Sequence, residues 1–332
     1  MKILATADSH FGYEFGRTSQ AKNQSIQKMF DVYQEVMKQA KSERVDLVLH
    51  GGDMFNRSQP KEKIISEAYN IIRNLAEDGI PFIGIPGNHD RSKLPESLLN
   101  FISKDIYLLS KFSAIEIEDL VILGFPFIGK DPRVILSKTY NLAKSSPQKS
   151  FLILCHQLFD GAMFGPHQHV FKNKSDTLVT TDLPENVRLI LSGHIHRAQS
   201  LQNRRVFYTG SLERTSFMEI VEPKGYLLIN LEDDYLDVKF QKIETSPMEV
   251  KELDITNVNQ ISKLIEQHYP DNSIRTQLRF FGRKLTEDEI KFLWSYLPAK
   301  EFPLISFSPK KPSHILRKLY NNKKKNFQFE AS

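Results

Sequence analysis

Five times along this chain a short β-type run ends in residues able to hold a metal ion, and that recurrence constrains the fold more than any other feature. Residues 3–7 lead into Asp8 and His10, and residues 45–49 pass through Gly51 and Gly52 to Asp53. Residues 82–85 end at Pro86, before Gly87, Asn88, His89 and Asp90. Residues 151–155 lead to His156, and residues 189–191 pass through Gly193 to His194 and His196. A lone Asp or His at a strand end is ordinarily a turn or cap residue. Five such tips together predict strands that deliver their ends to one rim.

Helix-period segments separate the first runs. Ile26, Phe30, Tyr33, Met37 and Ala40 recur within residues 21–43, and Ile64, Ile65, Ala68, Ile72 and Leu75 within residues 61–78. Strand, helix, strand, helix, strand predicts a layered βαβ sheet. Further helices are expected near 95–103 and at 132–144, with short strands near Ile115 and at 120–123. Residues 161–174, rich in Gly, Pro, His and Asn, read as a long loop beside the rim, with His167 and His169 as solvated loop residues. Beyond His196, strands are expected at 205–209, 217–221, 226–231 and 235–240, with Asp233 and Asp234 at a turn. They would close the first domain as a second, largely antiparallel sheet packed on the first.

The chain has 332 residues, more than one hydrophobic core usually serves. Near residue 247 the pattern restarts: a helix carrying Val258, Ile261, Leu264 and Ile265, an alternating strand at 274–281, and a helix opened by Thr286 with Glu289 at capping-box spacing. The expected domains are therefore 1–245 and 246–332, the second a small α+β unit. Its tail carries Lys310, Lys311, Arg317, Lys318, Lys323, Lys324 and Lys325 with no acidic residue among them, and the net charge of +5 points mildly the same way, toward an anionic partner such as DNA. No apolar stretch has signal-peptide or membrane-spanning length, and Cys155 has no cysteine to pair with. A cytoplasmic protein with no membrane partner is expected.

Two divalent ions about 3.5–4 Å apart need a shared carboxylate with further oxygen and imidazole ligands around them, and Asp53 is the natural bridge. A donor set without thiolate suits Mn, Fe or Zn. The motifs Asp8-Ser9-His10, Gly52-Asp53, Gly87-Asn88-His89-Asp90, His156 and Gly193-His194-Ile195-His196 resemble, in order, those of the calcineurin-like metallophosphoesterase superfamily. That resemblance implies an α/β fold, a four-layered αββα sandwich, performing two-metal hydrolysis of phosphate esters. It places Asp8, His10, Asp53 and His196 on one ion and Asp53, Asn88, His156 and His194 on the other. His89 becomes the unligated imidazole that protonates the leaving oxygen or stabilises the transition state, and Asp90 the residue that orients His89.

A narrower resemblance rests on Gly210-Ser211-Leu212-Glu213-Arg214-Thr215-Ser216-Phe217 and on Asp53-Met54-Phe55-Asn56 onward to Pro60, which are similar to segments of SbcD-type double-strand-break repair nucleases. The C-terminal unit is similar to their capping domain. This implies an Mn2+-dependent exonuclease, or an endonuclease on single-stranded and hairpin DNA, with an SbcC-type ATPase and a second copy of the chain as partners. Asn56 stands where archaeal and eukaryotic relatives carry a second histidine, which favours the endonuclease. Only residues 314–320 are left to dock an ATPase, which predicts a shortened partner site or a stand-alone nuclease. Candidate DNA contacts are Asn56, Arg57, Arg214, Lys310, Lys311, and Arg275 and Arg279 on one strand face with Gln277. Two alternatives stay open: a phosphatase or phosphodiesterase for small substrates, and a non-catalytic scaffold, against which every metal position is filled.

Overall fold

The computed structural model describes residues 1–16, 18–90, 104–165, 169–170, 176–180, 183–201, 205–232, 235–267, 274–299 and 305–308. The expected helix at 95–103, His167, the Asp233-Asp234 turn, Lys310, Lys311 and the rest of the tail lie outside these residues.

The chain opens with β1 (Lys2–Thr6), α1 (Ser19–Ser42), β2 (Leu47–His50), α2 (Glu62–Glu77), β3 (Phe82–Gly84) and β4 (Ile106–Leu108). The four strands pair in parallel, β1 to β2 to β3 to β4. Helical spacing explains α1 and α2: Phe30, Tyr33, Val36, Met37 and Ala40 of one face Ile65, Ala68, Ile72 and Leu75 of the other in a single apolar cluster. Thr18 caps α1 by accepting the Ala21 N–H at 3.1 Å.

A second sheet begins with β5 (Ser113–Ile117), β6 (Leu120–Gly124), α3 (Arg133–Lys144) and β7 (Ser150–Cys155). Four two-residue strands, β8 (Leu158–Phe159), β9 (Met163–Phe164), β10 (His169–Val170) and β11 (Thr177–Leu178), then pair two by two outside both sheets. The segment expected as a bare loop thus carries β9 and β10. With β12 (Val187–Ser192), β13 (Gln199–Leu201) and β14 (Val206–Tyr208) the second sheet is complete, in the order β13-β14-β12-β7-β6-β5.

That sheet is mixed, not largely antiparallel: β14, β12, β7 and β6 run parallel, and only the edge strands β13 and β5 are antiparallel. The strands expected to build it, β15 (Gly225–Leu231) and β16 (Leu236–Lys242), instead extend the first sheet, β15 antiparallel to β1 and β16 antiparallel to β15, in the order β16-β15-β1-β2-β3-β4. Residues 217–221 are not a strand either. Ser216 accepts the Met218 N–H at 3.1 Å and starts a 3-10 turn over Phe217–Glu219.

Alternation along each strand makes the layers. In β1, Leu4 joins the α1–α2 cluster while Ile3 and Ala5 join a core between the sheets with Leu152, Leu154, Leu189 and Leu191. Tyr140 and Ala143 of α3 pack on the far face of β7 with Ile153 and Cys155. Helices, sheet, sheet, helix is the four-layered αββα sandwich. Leu152 is fully buried in its middle, so Leu152→Ala is expected to lower unfolding stability by about 2–5 kcal/mol in a denaturant titration.

After Lys242 comes a separate three-stranded parallel sheet of β17 (Met248–Asp254), β18 (Arg275–Phe281) and β19 (Ile305–Ser308) with α4 (Ile261–Gln267) and α5 (Glu287–Ala299). It has its own apolar cluster of Leu253, Ile261, Ile265, Leu278, Phe280 and Leu293. The capping box forms in both directions: Glu289 N–H donates to Thr286 Oγ1 at 3.2 Å and Thr286 N–H to Glu289 Oε2 at 2.8 Å. Among the described residues no helix is long and apolar enough to cross a membrane.

Candidate metal centre

β1, β2 and β3 are neighbours in one sheet and β7 and β12 in the other, so the segments after their carboxyl ends meet across the top of the sandwich. Backbone bonds join these segments directly. Asp8 N–H donates to Gly52 O at 2.9 Å, His10 N–H to Asp53 O at 3.1 Å, and Gly193 N–H to Cys155 O at 3.2 Å. Asp8, His10, Asp53 and His194 all have positive φ, at 52°, 45°, 51° and 83°. A non-glycine residue there costs about 1–3 kcal/mol and persists where the surroundings hold it, as at functional sites. Gly87 is required for another reason: a Cβ there would lie 2.1 Å from Asp53 Oδ1.

The sequence-predicted ligands come together. Asp8, His10 and His196 have donor atoms within 4.8 Å of one another, as do Asp8, Asp53 and His156, and also His10, Asp53 and His89. His10 and His196 point Nε2 at Nε2 across 3.0 Å. Asn88 Oδ1 lies 2.7 Å from His194 Nδ1 and 3.1 Å from His156 Nε2, and Asp53 Oδ2 lies 3.4 Å from His156 Nε2 and 4.0 Å from His10 Nε2. The buried Nδ1 of His10 has no partner among the described residues. Lone pairs aimed at one another fit cations placed between them, and oxygen with imidazole suits a divalent ion.

Electrostatics agree. Burial works against ionising Asp53, yet the His156 imidazole, its hydrogen bond and His10 hold this carboxyl well below the usual range. Burial and the His156 charge push His194 down to about 3, and burial with His196 lowers His10, so both rings offer neutral lone pairs. Burial opposes protonation of His156, but Asp53 and its hydrogen bond win and raise it to about 9, so a bound cation there would displace a proton. His156 Nδ1–H donates to Gly51 O at 2.7 Å, which leaves Nε2 as its ligand atom.

His89 is exposed, edge-on to the His10 ring with centroids 4.7 Å apart. Its Nδ1–H donates to the backbone oxygen of Asn56 at 3.0 Å. The expected orienting role of Asp90 is therefore corrected. Asp90 is 1% exposed and accepts the N–H groups of Met54, Phe55 and Gly87 at 3.2, 3.1 and 3.0 Å, so it staples the Asp53 loop to the Asn88 loop. Burial and the Asp53 charge push it up to about 6, against the Gly87 and Phe55 N–H groups.

Of the expected DNA contacts, Arg57 is exposed and lines an open cleft of about 580 Å³ with Ser58, Gln59, Asn88 and His89. Arg214 is half-buried and Arg275 buried, and both spend hydrogen bonds inside the protein. Arg214 donates to Glu219 O and Glu222 O at 3.1 Å and to Thr245 Oγ1. Arg275 is 3% exposed, donates to Arg214 O at 3.0 Å and lies over the Phe15 ring, joining the C-terminal unit to the rim. Arg279 bonds Gln277 Oε1 at 2.9 Å and is partly exposed. His169 is exposed against the Phe164 ring.

Sequence reasoning missed four residues around the ligands. His50, fully buried, bonds Ser9 Oγ at 2.8 Å and accepts the Gly52 N–H, tying the β1 loop to the β2 loop. Its signal was a polar residue closing an apolar run. Phe127 stacks on His194 at 5.6 Å. Glu219 bonds His196 Nδ1 at 3.2 Å, and Lys224, 1% exposed, pairs with Glu219 at 2.6 Å. A lysine at the edge of the apolar run 225–231 was their signal.

A sandwich with this donor set at its strand tips defines a metallophosphoesterase. The chain belongs to the calcineurin-like phosphoesterase family, whose model matches residues 1–198. It is 25% identical over 292 residues to the DNA double-strand break repair protein Mre11 of Haloferax volcanii, covering 86% of this chain and 63% of that protein. It is 26% identical over 306 residues to the SbcD component of the nuclease SbcCD of Staphylococcus saprophyticus, covering 84% and 78%. The chain thus spans less than two thirds of the Haloferax relative, and 38% of the Mre11 protein of Methanosarcina mazei. Among solved structures it is similar to a dimetal phosphatase from Danio rerio, with TM-score 0.47 and 13% identity over 73% of this chain and 96% of that one.

Proposed function

We propose that the protein is a DNA nuclease of double-strand-break repair, hydrolysing phosphodiester bonds with two divalent ions, Mn2+ being the expected metal. The observation that carries this reading is the gathering of Asp8, His10, Asp53, Asn88, His156, His194 and His196 at one rim, in a chain whose relatives are named as break-repair proteins and a nuclease component. Asp8, His10 and His196 would hold one ion, Asn88, His156 and His194 the other, and Asp53 both. Bound there, the ions supply Lewis-acid polarisation of the phosphoryl oxygens and an activated water at neutral pH.

The protein's own residues do the rest. His89, fixed through Nδ1–H by Asn56 O, turns Nε2 toward the cleft and gives its proton to the leaving oxygen. Asn56 contributes its backbone carbonyl to this bond. Arg57 stands at the cleft for a phosphate of the same strand. An SbcC-type ATPase and a second copy of this chain are the proposed partners, since the staphylococcal relative is named as one component of a larger nuclease. The basic tail from Lys310 and Lys311 onward is a proposed further DNA contact.

Metal-stripped protein reloaded with Mn2+ should cut linear and hairpin DNA in preference to a small chromogenic phosphodiester. Turnover of the small diester alone would make this a small-substrate phosphoesterase. Arg57→Ala should make the plot of log DNA affinity against log salt shallower by about 0.9 on duplex, one phosphate contact. An unchanged salt series would remove Arg57 from the interface.

A further inference from the structure

The imidazoles of the centre are not supported alike from behind. His156 leans on a neutral acceptor, the Gly51 carbonyl, at 2.7 Å, and the buried Nδ1 of His10 has no partner among the described residues. His196 instead sets Nδ1 3.2 Å from the carboxylate oxygen Oε1 of Glu219, which also accepts the Thr215 hydroxyl at 3.0 Å. Lys224 locks this carboxylate: its Nζ lies 2.6 Å from Glu219 Oε2 and 3.4 Å from Glu222 Oε2, and donates to the His196 backbone carbonyl at 2.8 Å. The Lys224 side chain is fully buried. One buried cation therefore grips the ligand's main chain and the ligand's carboxylate partner together. Arg214 holds the same turn through Glu219 O.

We infer that Glu219 and Lys224 are positioning residues for His196: the carboxylate keeps Nδ1 protonated and Nε2 turned to the metal, and the lysine fixes the carboxylate. A carboxylate behind a ligating imidazole orients it and raises its donor strength more than a neutral carbonyl does. The position formed by Asp8, His10 and His196 thus draws affinity from a charge pair that touches neither metal nor substrate. A buried ion pair kept only for packing can usually be replaced by apolar side chains of similar volume, and a positioning pair cannot. The inference rests on reading His196 as a metal ligand.

Mn2+ titration of the metal-stripped full chain, by calorimetry and by the electron paramagnetic resonance of free Mn2+, separates these roles. His196→Asn should lose one of two sites; if it keeps both, the ligand reading fails and the inference falls with it, whereas parental binding by Glu219→Gln beside a lost site in His196→Asn overturns the inference alone. Glu219→Gln should weaken that same site by about 10- to 100-fold and leave the other unmoved. The double variant Glu219→Met with Lys224→Met, made in a Glu222→Gln background so that the Glu222 carboxylate is not left buried without Lys224, leaves no charge of the cluster unpartnered, so it also decides the matter if Glu219→Gln does not fold. It should melt near the parent temperature yet keep the weakened site. Recovery of parental affinity in the double variant, equal weakening of both sites, or parental binding by Glu219→Gln would overturn the proposal.

Discussion

Asp53→Asn is expected to empty both ion positions and abolish turnover while the protein still folds. Asp53 Oδ1 accepts the His89 N–H at 2.7 Å, and Oδ2 lies 3.4 Å from His156 Nε2 and 4.0 Å from His10 Nε2. An amide can keep the first bond but carries no charge for a pair of cations. The site would retain Asp8 as its one carboxylate, and Asp8 already accepts the His194 N–H on both oxygens at 3.1 Å. The sandwich itself is held by the three apolar clusters, none of which includes Asp53. Elemental analysis beside a circular-dichroism melt checks the expectation; two full equivalents of metal in a folded variant would remove Asp53 from its bridging place.

His89→Gln should keep metal and DNA binding and lose turnover by roughly 10²- to 10⁴-fold, the usual contribution of a positioned general acid. His89 is an exposed imidazole of the rim that lines the cleft, and its bond to Asn56 O engages Nδ1. Its donor atom also falls within 4.8 Å of those of His10 and Asp53, so the geometry contains a competing role as a ligand. Metal content decides between them. A variant that loses metal and rate together marks a ligand, and one that keeps its metal marks the acid.

Much of this centre was legible because its chemistry is local to strand ends. A β run followed by Asp, Asn or His states its own position, and the seven expected ligands meet where those strands end. Helices were equally plain: residues 21–43 and 61–78 became Ser19–Ser42 and Glu62–Glu77, since a 3.6-residue apolar stripe needs no partner to be recognised. Sheet membership was not legible. The periodicity of β15 and β16 says that they are strands, but whether they join β1 or the other sheet is decided by long-range pairing that alternation does not encode. Phe217, Met218 and Ile220 looked like a strand for their side chains, and the Ser216 cap with the Glu219 N–H bond to Ser216 O turned them into a 3-10 turn. β17 escaped notice because Glu252 stands where the alternation of Met248 and Val250 calls for an apolar residue.

The roles of Asp90 and Arg275 were misread for a common reason. Both carry charge, and a charged residue beside a catalytic motif invites a catalytic role, yet each is nearly fully buried and spends its hydrogen bonds on backbone groups. What distinguishes a staple from a reactive group is burial and partner identity, neither of which a single sequence contains.

The most direct test of the central claim is anomalous diffraction at the manganese edge from crystals of the Mn2+-loaded chain. Two peaks about 3.5–4 Å apart are predicted, with Asp53 between them, Asp8, His10 and His196 around one, and Asn88, His156 and His194 around the other. A single peak, or two peaks that do not share Asp53, would contradict the account.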